Sequence, residues 1–168
     1  AHIPEVRFRL GMLHVQTGNL KSAVTELEAY LATGEKAYKP ESRFQLGTLH
    51  MALEQPSAAI REFNAYLKTG DTTYAAESRF RLGTLHMQSA QYPAAIREFN
   101  TYLKTGDKIH KGEAFYLLGG AHEASGQIEQ AERAYLDYLK TKDPVHRDEV
   151  HFRLAVHHHK NGNHTAAE

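Results

Sequence analysis

The sequence contains no cysteine. A disulfide, a thiolate metal site and a cysteine nucleophile are therefore excluded. The absence does not choose between a reducing and an oxidising compartment. No sign of charge is in excess either: Lys plus Arg and Asp plus Glu are 20 each, so the net charge is zero with His neutral. A protein built to hold nucleic acid needs a clear cationic surplus. Nucleic acid is therefore not an expected partner, and nothing draws the chain to an anionic membrane surface. No apolar run approaches the roughly 20 residues that cross a bilayer, and no signal peptide is visible. A soluble protein, cytoplasmic or periplasmic, is expected. The chain also lacks a Gly-rich phosphate loop, a nucleophile elbow and a His-Glu-x-x-His run. Neither an enzyme nor a cofactor is expected.

What is present is repetition. Phe8, Phe44, Phe80, Tyr116 and Phe152 recur at a spacing of 36 residues. Leu10, Leu46, Leu82, Leu118 and Leu154 keep the same step, as do His14, His50, His86, His122 and His158. Residues 40–75 and 76–111 agree at 24 of 36 positions. A period in this range means stacked units, each too small to fold alone. One continuous array is expected, with units 4–39, 40–75, 76–111 and 112–147 and a truncated unit 148–168. The chain opens at Ala1 without Met and stops in mid-repeat, which reads as a piece of a longer array.

Each unit reads as two helices. In residues 76–89 Phe80, Leu82, Leu85 and Met87 sit among good helix formers. In residues 93–107 Ala95, Ile96, Phe99, Tyr102 and Leu103 form a broad helical stripe. Breakers lie between the halves: Thr17-Gly18-Asn19, Gln55-Pro56, Gln91-Tyr92-Pro93, Ser125-Gly126 and Asn161-Gly162-Asn163. Pro56 and Pro93 suit the first turn of a following helix, where no N–H is needed. Gly34, Gly70 and Gly106 suit the left-handed position just past a helix end. In the fourth copy Lys142 takes that place and Pro144 follows. Antiparallel helices of roughly 12 to 14 residues, joined by tight turns, are predicted.

Leu82-Gly83, then Ala95, then Phe99 resembles the tetratricopeptide repeat. The pattern recurs as Leu10-Gly11, Ala23, Leu27; as Leu46-Gly47, Ala59, Phe63; and as Leu118-Gly119, Ala131, Tyr135. The fifth copy has Leu154-Ala155 and Ala167. The resemblance implies an all-α fold, a right-handed αα-superhelix of helical hairpins, and a protein or peptide partner held in a concave groove. Gly83 and Ala95 read as the small residues that let the two helices cross closely, with Phe99 filling the space between units. The unit departs from the family's usual 34 residues; the two extra fall in the loop around Asp107 to Lys111. The aromatic that the family carries three residues before the Leu is Arg7, Arg43 and Arg79 here, then Phe115 and His151. Tyr30, Tyr66, Tyr102 and Tyr138 stand where the family prefers a small residue, and are expected to fill the volume so released.

In proteins of this kind the first helices line the groove. Phe8, Phe44, Phe80, Tyr116 and Phe152 would then be its apolar rungs, with Met12, Thr48, Thr84, Met51 and Met87 beside them. The competing reading makes the Phe residues interhelical core. Helices pack at roughly 8 to 10 Å, so five rungs run about 40 Å, enough for about a dozen extended residues. Glu41 and Glu77, with Glu5, Glu113 and Glu149, read as helix-dipole carboxylates or as an acidic rail. Arg81, with Arg9 and Arg153, would be its intermittent basic counterpart. Arg7, Arg43 and Arg79 are expected to pair with Glu26, Glu62 and Glu98 on the second helix, their stems covering apolar surface.

The histidines number 12. His157, His158, His159 and His164 are the best metal cluster, but adjacent helical residues diverge by about 100° and no His pair sits at i, i+4. Packing and hydrogen bonding are the expected roles, and no metal is expected. If the His ladder is buried and neutral, stability is expected to fall below about pH 6. Self-association of near-identical units through the open C-terminal end is the alternative to peptide binding.

Overall fold

The computed structural model describes the backbone of residues 3–160 and the side chains of 3–159. Among the described residues there are nine helices and no strand. They are α1 (Ile3–Gln16), α2 (Leu20–Ala32), α3 (Lys39–Ala52), α4 (Pro56–Leu67), α5 (Ala75–Gln88), α6 (Tyr92–Lys104), α7 (Lys111–Ala124), α8 (Ile128–Lys140) and α9 (Arg147–Lys160). Each repeat supplies an odd-numbered first helix and an even-numbered second helix. Lengths of 12 to 14 residues match the apolar spacing. Pro56 opens α4 and Pro93 lies in the first turn of α6, where a missing N–H costs nothing.

Two compact units meet inside α5, between Ser78 and Arg79. In the first, α1 packs on α2, α2 on α3 and α3 on α4. Its core gathers Phe8, Ala23, Leu27, Tyr30, Leu46 and Leu49. In the second, α6 packs on α7, α7 on α8 and α8 on α9. Ala131, Tyr135, Tyr138, Val150 and Leu154 form a core there, with Phe115 and Tyr116 against it.

The hairpins close on glycine. A methyl group at Gly47 would stand 2.7 Å from the Phe63 ring, and one at Gly83 would stand 2.6 Å from the Phe99 ring. Ala59 and Ala95 are fully buried on the facing helices. The small residues thus do what their spacing suggests: they bring two backbones together.

The loop after each second helix is tied to a buried tyrosine. Tyr66 is fully buried, and its hydroxyl accepts the Tyr74 N–H at 2.7 Å while donating to Asp71 at 2.8 Å. Tyr102 accepts from the His110 N–H and donates to Asp107; Tyr30 and Tyr138 accept from Tyr38 and His146. Thr69 donates to the Tyr66 carbonyl, and Asp71 accepts the Thr73 N–H. Gly70 between them has φ +81°, a region that costs a side chain about 1–2 kcal/mol. Lys142 occupies the same region without being glycine. The tyrosines therefore do more than fill volume: their hydroxyls hold the longer loop of the 36-residue unit.

Candidate protein-interaction site

The loop ring that follows each tyrosine clasp decides the fate of the aromatic ladder. Tyr38 stacks on Phe8, Tyr74 on Phe44 and His110 on Phe80, each with centroids 4.2 Å apart. His146 stacks on Tyr116 at 3.8 Å. Phe8, Phe44 and Phe80 are consequently only 7–8 % exposed. The expectation that these three are groove rungs is corrected: stacked rings from one side and Tyr30, Tyr66 and Tyr102 from the other make them core. Tyr116 is half-buried. Phe152 has no ring stacked on it among the described residues and is 69 % exposed.

Met12, Thr48, Thr84, Met51 and Met87 are half-buried on the first helices. Thr48 and Thr84 turn their hydroxyls back to the carbonyls of Phe44 and Phe80. Glu41 and Glu77 are half-buried, as is Arg81. Two carboxylates that open a first helix pair with the guanidinium four residues on: Glu5 with Arg9, and Glu149 with Arg153, each at 2.6 Å. That pairing mutes an acidic rail at these positions. The expected second-helix partners are in place: Arg7 bonds Glu26, Arg43 bonds Glu62 and Arg79 bonds Glu98.

One face of the second unit carries a denser arrangement. Arg153 of α9 bonds Glu123 of α7 as well as Glu149. Glu123 also accepts from the Tyr135 hydroxyl at 2.9 Å and faces His157 Nε2 at 3.2 Å. Glu149 accepts from the Tyr116 hydroxyl at 2.8 Å. Burial alone would raise the Glu123 carboxyl, but hydrogen bonds from Tyr135, Arg153 and His157 hold it below the usual range. Glu149 is lowered by Arg153 and Tyr116. Burial acts first to depress Arg153, and its two carboxylates reverse that and raise it. Both carboxylates are thus ionised, and Arg153 stays cationic between them. A cavity of about 280 Å³ opens beside them, lined by Glu123, Glu149, Phe152, Arg153 and Val156.

Glu149, Phe152 and Arg153 stand at repeat positions that the sequence pattern singles out, whereas Glu123 and Val156 do not. Glu123 was visible as the one charged residue in the column Val15, Met51, Met87. The consecutive imidazoles do not converge: His157 is 3 % exposed between Glu123 and Glu132, His158 is half-buried and His159 is exposed. His164 lies outside the described residues. Among the described residues no three His, Asp or Glu side chains are placed to hold a metal ion. His50, His86 and His122 instead bond Gln55, Gln91 and Gln127 across the hairpin turn at 2.6–2.7 Å.

The model of the family described as tetratricopeptide repeat matches residues 44–108, 80–147 and 116–168. The chain belongs to the tetratricopeptide repeat family. It shares the family's all-α hairpin-repeat fold of the αα-superhelix class with solved structures. A crystal structure of MamA has a TM-score of 0.76 at 20 % identity, covering 94 % of this chain and 88 % of that one. MamA residues 41 to the end from Desulfovibrio magneticus RS-1 give 0.76 at 19 % identity, covering 99 % and 90 %. A MamA double mutant gives 0.78 at 19 % identity, covering 99 % and 89 %. At these identities the likeness is one of fold. No curated protein matches the chain significantly. As a tetratricopeptide repeat array, the chain is a protein-interaction module of scaffold type. No described helix is long and apolar enough to cross a membrane.

Proposed function

We propose that the chain binds a segment of a partner protein along its first helices, with the α7–α9 face as the anchor. The observation that carries this is the cavity among Phe152, Val156, Glu123, Glu149 and Arg153, whose charged groups are held by hydrogen bonds around its apolar part. An apolar patch ringed by fixed polar groups is the composition of an interface hot spot. Further contact positions are, within the first unit, Met12, Thr48 and Met51 with Glu41 and Glu77, and, within the second, Thr84 and Met87 with Arg81. One guanidinium against two ionised carboxylates leaves the face with residual negative charge, so a basic residue beside the apolar anchor suits the ligand. Peptides selected by phage display on the intact chain are expected to lose about thirtyfold in affinity to the Phe152→Asp variant, with unchanged far-UV circular dichroism. Equal affinity for both would reject this face as the site.

A second reading, self-association, is favoured by α1. Ile3, Val6, Leu10 and Leu13 form an exposed apolar stripe. Their counterparts Leu46 and Leu49 in α3 are buried against neighbours. A heterologous contact through this stripe would build open assemblies. Light scattering over a concentration series is expected to show mass growth that Leu10→Asp abolishes; constant mass would dismiss it.

A further inference from the structure

The fourth repeat differs from the first three at two paired places at once. Arg7, Arg43 and Arg79 each reach a carboxylate 19 residues on: Glu26, Glu62 and Glu98. In the fourth repeat the same two places hold Phe115 and Ala134. Ion pair and filling side chains vanish together, and both charges go, so no lone buried charge is left behind. What remains is a cavity of about 360 Å³ among α6, α7 and α8. Phe115, Leu118 and Ala134 line its apolar part, and Leu118 and Ala134 are almost wholly buried. Lys104 and Arg133 stand at the rim, both exposed and neither paired with a carboxylate among the described residues. The other charged rim groups are spoken for: Asp137 bonds Lys140 and His122 bonds Gln127. Asn100 and Gln130 add two exposed side-chain amides.

We propose that this cavity is a second interaction site, and that it takes an acidic peptide segment whose single large apolar side chain enters among Phe115, Leu118 and Ala134. The apolar lining sets the anchor, since burying an aromatic or branched side chain there removes it from water. The two unpaired cations set the sign of the flanking residues. The amides of Asn100 and Gln130 each offer donor and acceptor groups to a peptide backbone. No residue that lines it lines the cavity beside Phe152, so it stands whether or not the α7–α9 face binds. In repeats two and three the same two places carry the Arg43–Glu62 and Arg79–Glu98 pairs.

Amide chemical shifts of the ¹⁵N-labelled intact chain test this, with acetyl-Asp-Glu-Phe-Glu-Asp-amide as probe. Saturable shifts are expected at Leu118, Arg133 and Ala134. The same peptide with Ala for Phe, or with Lys for every acid, is expected to give none. Lys104→Glu with Arg133→Glu is expected to weaken binding about tenfold or more, with no change in helicity. Phe115→Arg with Ala134→Glu, which rebuilds the ion pair of the other repeats, is expected to abolish it. Phe152→Asp is expected to leave it intact. Shifts that persist in the rebuilt pair, that do not discriminate the three peptides, that map elsewhere, or that are absent would overturn the proposal. So would shifts by octanoate at these residues without binding of the peptide.

Discussion

Gly47 shows how much one missing methyl group decides. A side chain there meets the Phe63 ring at 2.7 Å, and the ring is walled in by Phe44 and the buried Ala59 helix. Gly47→Ala is expected to destabilise the chain by about 1–3 kcal/mol, the usual penalty of overpacking a tight core, read by urea denaturation. An unchanged midpoint would mean that the hairpin opens freely at this crossing. Residues of this kind were legible from spacing alone, because contact between two helices of one hairpin depends only on short-range geometry. The Arg43–Glu62 pair was legible for the same reason: both ends lie in one hairpin. Phe44 was not. Its burial depends on Tyr74, which stands 30 residues away and reaches it only through the fold of the loop. Phe115 and Ala134 were readable as a joint departure from the repeat, but only the packing of α6 against α7 and α8 makes that departure a cavity.

At the scale of the element, the loop between units is the distinctive part. The Thr-Gly-Asp run at 69–71 reads in sequence as a helix stop, and it is one: Gly70 has φ +81°. The structure adds that the same run, with Tyr66, forms a closed set of hydrogen bonds that aims Tyr74 at Phe44. Burial, the hydrogen bond to Asp71 and that carboxylate's charge push the Tyr66 hydroxyl from its ordinary 10.0 up to about 12. Because the folded value lies above the unfolded one, this contribution is complete below pH 10 and is lost as pH rises through about 12. Tyr66→Phe leaves the Tyr74 N–H without its acceptor and is expected to cost about 1–3 kcal/mol at pH 8. The stability gap between native and variant chains is expected to shrink from pH 10 to 12 in thermal melts. A gap constant over that window would show that the hydroxyl is not held as described.

For the molecule as a whole, stability is shared between neighbours rather than stored in one core. Within the first unit, Leu46 and Leu49 of α3 take their cover from the preceding hairpin, α1 and α2. The α1 stripe of Ile3, Val6, Leu10 and Leu13 has no such cover among the described residues. Hydrogen exchange is therefore expected to run fastest in α1 within the first unit, and slower in α3. Uniform protection across α1 to α4 would argue for a single cooperative block. The period, the hairpin, the close crossings and the Arg–Glu pairs were set by the sequence by itself, because each rests on contacts within one repeat and is written several times over. Which rings are sealed and which are open was decided only by tertiary structure. Phe8, Phe44 and Phe80 are core because a loop ring 30 residues on lies flat on each, and only the folded loop brings the two rings together.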